Sequence, residues 1–431
     1  MKRIILLSLN ELNFDYIKYY ISQGLLPNLK FIIDKYGYRK TYSEKEYHLL
    51  EPWIQWVSIH TGKFYNEHKV FRLGDITQAD GLAQLWEIIE QKGYSVGAIS
   101  PFNAANHTER SGFFVPDPWT QTKASGEPTL EKLAVAISGA VNNNASNKLT
   151  AKTLIHLLQG MMKYVKVSEY PKYISLSANI KKKASKVLIL DNVLADVFIN
   201  CFENKKPDFS SLFLNGAAHI QHHYMFNSKA YSGLQKNPSW YCPEEEDPLL
   251  DTLISYDKIL ERLLKLDARL VIATGLHQEP HNEKTFYWRL KDHVNFLKLI
   301  GIENFKNVVP RMSRDFLIEC NSEKDAAIIQ SKLETIYSEK DQLRIFEVDN
   351  RGKSLFAELV YPNEITKGFR IKSDTSLPLA LDFYDYVAFV AIKNGKHNGT
   401  GYLIDTGENF KEEQDEIPVT AIFDHILSNY P

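Results

Sequence analysis

Ile4-Ile5-Leu6-Leu7-Ser8-Leu9, followed at once by Asn10-Glu11, is the stretch that decides the fold. A short, nearly unbroken apolar run ending abruptly in polar side chains reads as a strand buried on both faces, as in parallel sheets. Met1-Lys2-Arg3 in front of it imitates the start of a secretory leader. The run is shorter than the roughly 7–15 residues such a leader wants and has no small-residue cleavage site, so a first strand is the better reading. Outward from it, helices are predicted over Phe14–Gly24 and from Leu26-Pro27-Asn28-Leu29 onward. Tyr94–Ser100, Ser210–Leu214 and Ala268–Ala273 read as further strands, with helices over Gly81–Lys92 and Leu249–Leu266. Strands alternating with helices argue for a doubly wound α/β sheet with its functional groups at the carboxyl ends of the strands.

The chain has 431 residues, with 51 Lys+Arg against 53 Asp+Glu, a formal charge of −2. That balance excludes binding of nucleic acid through bulk positive charge. A hydrophobic content of 44% and a charged content of 24% permit a large core. No segment reaches the ~18–20 apolar residues that span a bilayer. Cys201, Cys242 and Cys320 lie far apart without a CxxC pair. They exclude a disulfide framework and a cysteine-built zinc site, and with the absence of a leader they imply a cytoplasmic protein.

Two stretches interrupt the alternation. Residues 116–206 are mostly helical, as expected of a cap inserted over a sheet. Between Lys148 and Lys186 they carry nine lysines against one acid, Glu169. This is either a solvated helix face or a collar that attracts an anionic substrate or a membrane surface. Residues 314–362 read as a β-α-β-β side unit: Phe316–Cys320, a helix over Glu323–Tyr337, then Leu343–Val348 and Ser354–Leu359. The remaining segments, 1–115, 207–313 and 363–431, make the core.

Polar clusters stand where strands or loops end: Asn10-Glu11, Glu51-Pro52-Trp53, Asn215 through His223, Thr274 through Gln278, and Lys396-His397-Asn398-Gly399. In such a sheet these ends converge on one rim, so repeated arrivals of His, Glu and Asn point to one site. His219 lies one helical turn from both His222 and His223, a spacing suited to gripping a metal or an anion. The alternative is that one of the three enters the site and the others bond locally. His60, His156, His293 and His425 are read as packing residues. Glu11, His219, His277 and His397 come from separated segments and offer oxygen and nitrogen donors. That set suits Zn²⁺ or Mn²⁺ better than Mg²⁺. Trp119 and Trp240 stack on a sugar face or anchor long loops.

In this order the motifs resemble the alkaline phosphatase superfamily, in its type I phosphodiesterase/nucleotide pyrophosphatase and sulfatase-like branches. Leu6–Glu11 with Leu26-Pro27-Asn28-Leu29 is similar to the family's opening strand and "lPNl" helix. Val57 through Gly62 with Glu67-His68 resembles the end of its nucleophile segment. Asn215 to His219 resembles Asp-x-x-Gly-His, Tyr256-Asp257 with Ala273–Gln278 the helix leading to "SDHG", and Gly395–Gly401 the segment around the final His ligand. The resemblance spans nearly the whole chain. It implies an alkaline-phosphatase-like layered α/β sheet with helices on both faces, a helical cap insertion and a small α+β side unit.

The departures bear on the chemistry. Family members commonly bind two metals through Asp and His and attack with a Ser or Thr alkoxide. Here the Asp positions fall on Asn10, Asn215 and Gly275 or Leu276, and the nucleophile position falls on Pro52, beside Glu51. The resemblance thus implies a metal-dependent hydrolase or transferase of a phosphate or sulfate ester or diester, of a sugar or a nucleotide. The alternative is a binding or scaffold protein that retains the fold; a mutase ranks last. The metal ligands are expected to be Glu11, His219, His277 and His397, for one ion or two. Glu51, Glu11 and His222 are the catalytic candidates, with Glu51 as general base, further ligand or nucleophile. Asn10, Asn215, His223, Gln278 and Trp53 are expected substrate contacts. The implied substrate is an anionic small molecule or a glycan-linked one.

Overall fold

The structure, a computed structural model, describes residues 2–142, 150–311, 314–373, 381–411 and 415–431. Lys148 of the lysine-rich stretch lies outside them. Chain packing divides the molecule into two compact units. One comprises Met1–Gly233, Pro238–Pro280 and Gly395–Pro431, and the other Leu234–Asn237 and His281–Asn394.

The first unit is built on an eight-stranded sheet containing β1 (Ile4–Leu9), β2 (Arg39–Tyr42), β3 (Val96–Ile99), β4 (Phe113–Val115), β5 (Phe209–Leu214), β6 (Arg269–Ala273), β15 (Thr400–Asp405) and β16 (Ile417–Pro418). Their order is β16-β2-β15-β6-β1-β5-β3-β4. The run β6-β1-β5-β3-β4 is parallel, and β15 joins it antiparallel to β6. The opening stretch is therefore a central strand, buried at every position. Its alternation separates two cores. Ile5, Leu7 and Leu9 face one core, and Ile4 and Leu6 face the other. The first core is closed by α1 (Phe14–Ser22), α2 (Pro27–Tyr36), α6 (Pro128–Asn142), α7 (Ala151–Tyr164), α9 (Ser185–Lys205), α10 (Gly216–Tyr224) and α11 (Pro248–Leu263). On the opposite face lie α3 (Pro52–Thr61), α5 (Leu85–Gln91) and α14 (Ala421–Leu427). This is a layered α/β sheet with helices on both faces. The short helices α4 (Tyr65–His68) and α8 (Tyr170–Ala178) complete this unit's set among the described residues.

Of the stretch 116–206, the described residues from Pro128 onward fall mostly in helices, α6 to α9, and these belong to the first unit. Several residues singled out by motif serve the scaffold. Leu26 gives α2 no side-chain cap. Asp257 supplies one from another helix, accepting from Leu29 N at 2.7 Å and Asn28 Nδ2 at 2.7 Å. Its neighbour Tyr256 donates to buried Asp191 at 2.6 Å, and Asp191 accepts the Gly216 N–H at 2.8 Å. That pair pins the start of α10. A Cβ on Gly216 would stand 2.5 Å from Asp191 Oδ2, so a side chain there would push Asp191 away from the helix start.

The second unit contains an antiparallel sheet ordered β11-β12-β9-β8, from β8 (Phe305–Pro310), β9 (Asp315–Cys320), β11 (Phe346–Asn350) and β12 (Ser354–Leu359). Helix α12 (His293–Leu299) precedes it, α13 (Glu323–Glu334) packs on it, and β10 (Ile336–Ser338) pairs with β13 (Ile371–Ser373). The β-α-β-β stretch expected over 314–362 lies inside this unit. The unit is wider because β7 (His277–Leu290) carries the chain out and β14 (Val387–Asn398) brings it back.

His60 is packed, as expected. It is buried in α3 with its ring 4.8 Å from that of Trp86. Burial pushes its pKa down to about 3. Below the unfolded value near 6.5 the unfolded chain binds a proton that the native chain refuses, so this residue's contribution to stability is lost as pH falls. His60→Leu is expected to flatten the decline between pH 6.5 and 4 by up to about 1.4 kcal/mol per pH unit. Urea unfolding of both proteins across that range measures it.

Candidate metal-binding site

The carboxyl ends of three adjacent parallel strands open the site. Leu9 of β1 is in register with Leu214 of β5, and Ser8 with Ala273 of β6. Asn10-Glu11, Asn215 and Thr274 therefore leave the sheet side by side. Glu11 takes a left-handed backbone conformation, with φ of 57°. Its N–H donates to Thr274 O at 3.1 Å, and its carbonyl accepts from Gln221 Nε2 at 2.8 Å and from the Gln278 N–H at 3.2 Å. Strain of this kind persists only where the surroundings over-determine it. Here it aims a buried carboxylate at the rim.

Three donor atoms meet there. Glu11 Oε2 lies 3.1 Å from His222 Nε2 and 3.1 Å from His397 Nε2, and the two nitrogens are 3.3 Å apart. Among the described residues these three form a group able to hold a metal ion. Bonds of about 2.0–2.1 Å to zinc set the ligand atoms of a tetrahedron about 3.3 Å apart, so the triangle has the dimensions of three tetrahedral corners. Hydrogen bonding alone fits less well. Glu11 Oε2 already accepts Gln278 Nε2 at 2.5 Å, and two imidazole N–H groups added to it exceed one oxygen's lone-pair sites. A cation shared by the three atoms removes that excess. Burial raises the Glu11 pKa, but the charges and hydrogen bonds of His397 and His222 outweigh it and hold the carboxyl well below its usual range.

His222, expected in catalysis, thus joins Glu11 and His397 in the ligand group, whereas His219 and His277 stand outside it. His219 is exposed and pairs with His223 one turn on, ring centroids 4.8 Å apart. His277 donates Nδ1–H to Thr400 O at 2.6 Å. It starts β7, where side chains alternate. Gln278 therefore takes the face toward Glu11, and His277 takes the other.

Asn10 and Asn215 form a bonded amide pair at the rim. Asn10 Nδ2 donates to Asn215 Oδ1 at 2.8 Å and to Glu11 Oε1 at 3.1 Å, and Asn10 Oδ1 accepts the Trp56 indole N–H at 2.7 Å. Glu51 precedes the first turn of α3, with Pro52 at its start, and its carboxylate is 3.7 Å from His397 Nδ1. At that distance the carboxylate adds negative charge behind the imidazole without a direct hydrogen bond. Trp53 is half-buried and donates its indole N–H to Phe71 O at 3.1 Å.

Sequence reasoning passed over Gln221, Asn13 and Trp56. Gln221 accepts the Asn13 N–H at 3.1 Å, and Asn13 Nδ2 donates to Gln278 O at 2.7 Å. The run Ala218 through His223 contains Gln221 but gives no sign that its amide is buried. Gly395 shows how tightly this support is packed, since a Cβ there would stand 2.0 Å from Gln278 Oε1. Gly395→Ala is expected to displace Gln278 and weaken cation binding about 10- to 100-fold. Competition with a colorimetric chelator reads the change.

No family model and no curated relative matches the chain. Solved structures similar to it include phosphonoacetate hydrolase from Sinorhizobium meliloti 1021 in complex with phosphonoformate, 11% identical, TM-score 0.43, covering 100% of this chain and 96% of that one. Another is murine ectonucleotide pyrophosphatase/phosphodiesterase 5, whose inactive variant in complex with AMP is 10% identical, TM-score 0.45, covering 100% of this chain and 95% of that one. Both proteins are members of the alkaline phosphatase superfamily.

Proposed function

We propose that this protein is a hydrolase of phosphate or sulfate esters that uses one divalent cation, zinc or manganese before magnesium, held by Glu11, His222 and His397. The observation that carries the reading is the convergence of one carboxylate oxygen and two imidazole nitrogens within 3.1–3.3 Å at the carboxyl end of a parallel sheet. A cation there supplies Lewis-acid activation of water and polarises an ester oxygen. Glu51, with its carboxylate 3.7 Å from His397 Nδ1, is the second carboxylate at the site and the candidate general base. Gln278 and Asn10 hold the two oxygens of Glu11 in place. A single ion rather than two is supported by the Asn10–Asn215 pair, because amides bonded to each other bring no negative charge to a second cation. The substrate this reading implies is anionic, small or glycan-linked, as esters of phosphate and sulfate are. The three cysteines are free thiols, which supports a reducing, cytoplasmic setting.

The test is a screen of phosphomonoesters, phosphodiesters and sulfate esters with Zn²⁺, with Mn²⁺ and after chelation. Turnover that is lost on chelation and restored by metal is expected. Turnover unchanged in metal-free protein contradicts the proposal. Pro52 at the nucleophile position favours a second reading, a binding protein without turnover. That reading predicts a cation and an anionic ligand bound with no ester cleaved.

A further inference from the structure

Helix α7 carries more apolar surface than its packing uses. Its inner side closes the core with Gly160 and Tyr164 buried and Leu157 and Met161 packed against that cluster. Leu154, Ile155 and Leu158 are about half exposed, and Met162 is 77% exposed. At about 100° per residue these four fall within an arc of about 100°. The same character continues beyond the helix, where Val167 and Ile174 are 80% and 69% exposed. Four exposed large aliphatic side chains on one arc of a helix mark an interaction surface rather than ordinary scatter.

The charge of the same stretch of sequence points to the occupant. Lys152, Lys181, Lys182 and Lys186 are exposed along the same segment, in which Glu169 is the one acid between positions 148 and 186. Glu169 is engaged with Lys172 and Arg262, and Lys163 and Lys166 are paired with Glu127 and Glu203 from outside the segment. No helix of the described residues is long and apolar enough to cross a membrane. A second copy of the chain would bring lysines against lysines. An anionic bilayer meets both features, apolar side chains entering the headgroup boundary and lysines at the phosphates.

We propose that α7 and the segment through Lys186 form a peripheral docking surface for anionic membranes. This does not depend on the function proposed for the Glu11 site. The test is co-sedimentation of the full chain with vesicles of phosphatidylcholine alone and with about 30% phosphatidylglycerol. The protein is expected to sediment with the anionic vesicles, to stay free with the neutral ones, and to be released by salt. Leu158→Glu with Met162→Glu is expected to lower the partition at least about tenfold. Lys181→Glu with Lys182→Glu is expected to lower it about fivefold or more per lysine. All four positions are exposed, and unchanged circular dichroism with unchanged cation binding verifies the fold. Three results would each overturn the proposal. They are no binding to anionic vesicles, binding unaffected by the apolar pair, and self-association of the wild type that the apolar pair abolishes.

Discussion

Glu11→Gln is expected to weaken cation binding at least about a hundredfold and also to destabilise the metal-free protein at neutral pH, because the imidazoles of His222 and His397 hold the carboxyl below its usual range. The substitution keeps shape and volume and removes the group's only negative charge. Gln retains one oxygen to accept from Asn10 or Gln278 and turns an N–H group toward the other donor. A further loss appears with metal present. A ligand at about a hundred times its dissociation constant stabilises the wild type by about 2.7 kcal/mol, an increment the variant forfeits at the same concentration. Thermal unfolding with and without Zn²⁺ reads both halves. Glu51→Gln is expected to cost only about tenfold in affinity, because its carboxylate stands behind His397 and outside the donor triangle. Equal losses in the two variants would assign Glu51 to the ligand set.

Trp56→Ala is expected to destabilise the fold by about 3–5 kcal/mol, the cost of emptying a large buried aromatic site. Trp56 is fully buried beneath the sheet and stands edge-on to Phe213 at 5.4 Å. It links the core to the rim, since its indole N–H holds Asn10, which in turn holds Glu11 and Asn215. Trp56→Phe separates the two roles. It keeps most of the packing, leaves Asn10 Oδ1 without its donor, and is expected to lower cation affinity more than its smaller stability loss accounts for. Urea denaturation beside metal titration on the same samples makes the comparison.

The central layer was legible because burial on both faces leaves a mostly apolar run that ends abruptly in polar residues, nearly unbroken at Ile4–Leu9 and interrupted by two serines at Phe209–Leu214. Helix starts were legible where Pro or a short polar residue precedes the apolar period, as at Pro27. The rim was legible too, since Asn10-Glu11, Asn215 and Thr274 each follow a strand. The orientation of particular histidines was not. On α10 the spacing of His219, His222 and His223 admits more than one inward face. The choice is made by Asp191 and Tyr256, which pin the helix start, and by Gln221, whose buried amide joins Glu11 to Asn13. At His277 the obstacle was the strand boundary. Once β7 starts there, alternation gives the inner face to Gln278, and Gly395 and His397 share the facing side of β14. The width of the second unit was missed for a related reason, because β7 and β14 run far beyond the segments that read as strands.

The central claim is that Glu11, His222 and His397 hold one divalent cation. An anomalous-scattering map from crystals grown with Zn²⁺ tests it most directly. The account predicts a single peak bonded to Glu11 Oε2, His222 Nε2 and His397 Nε2, absent in Glu11→Gln crystals. A peak on His219 or His277, a second peak between Asn10 and Asn215, or no peak at full occupancy of the crystal's zinc supply would contradict it.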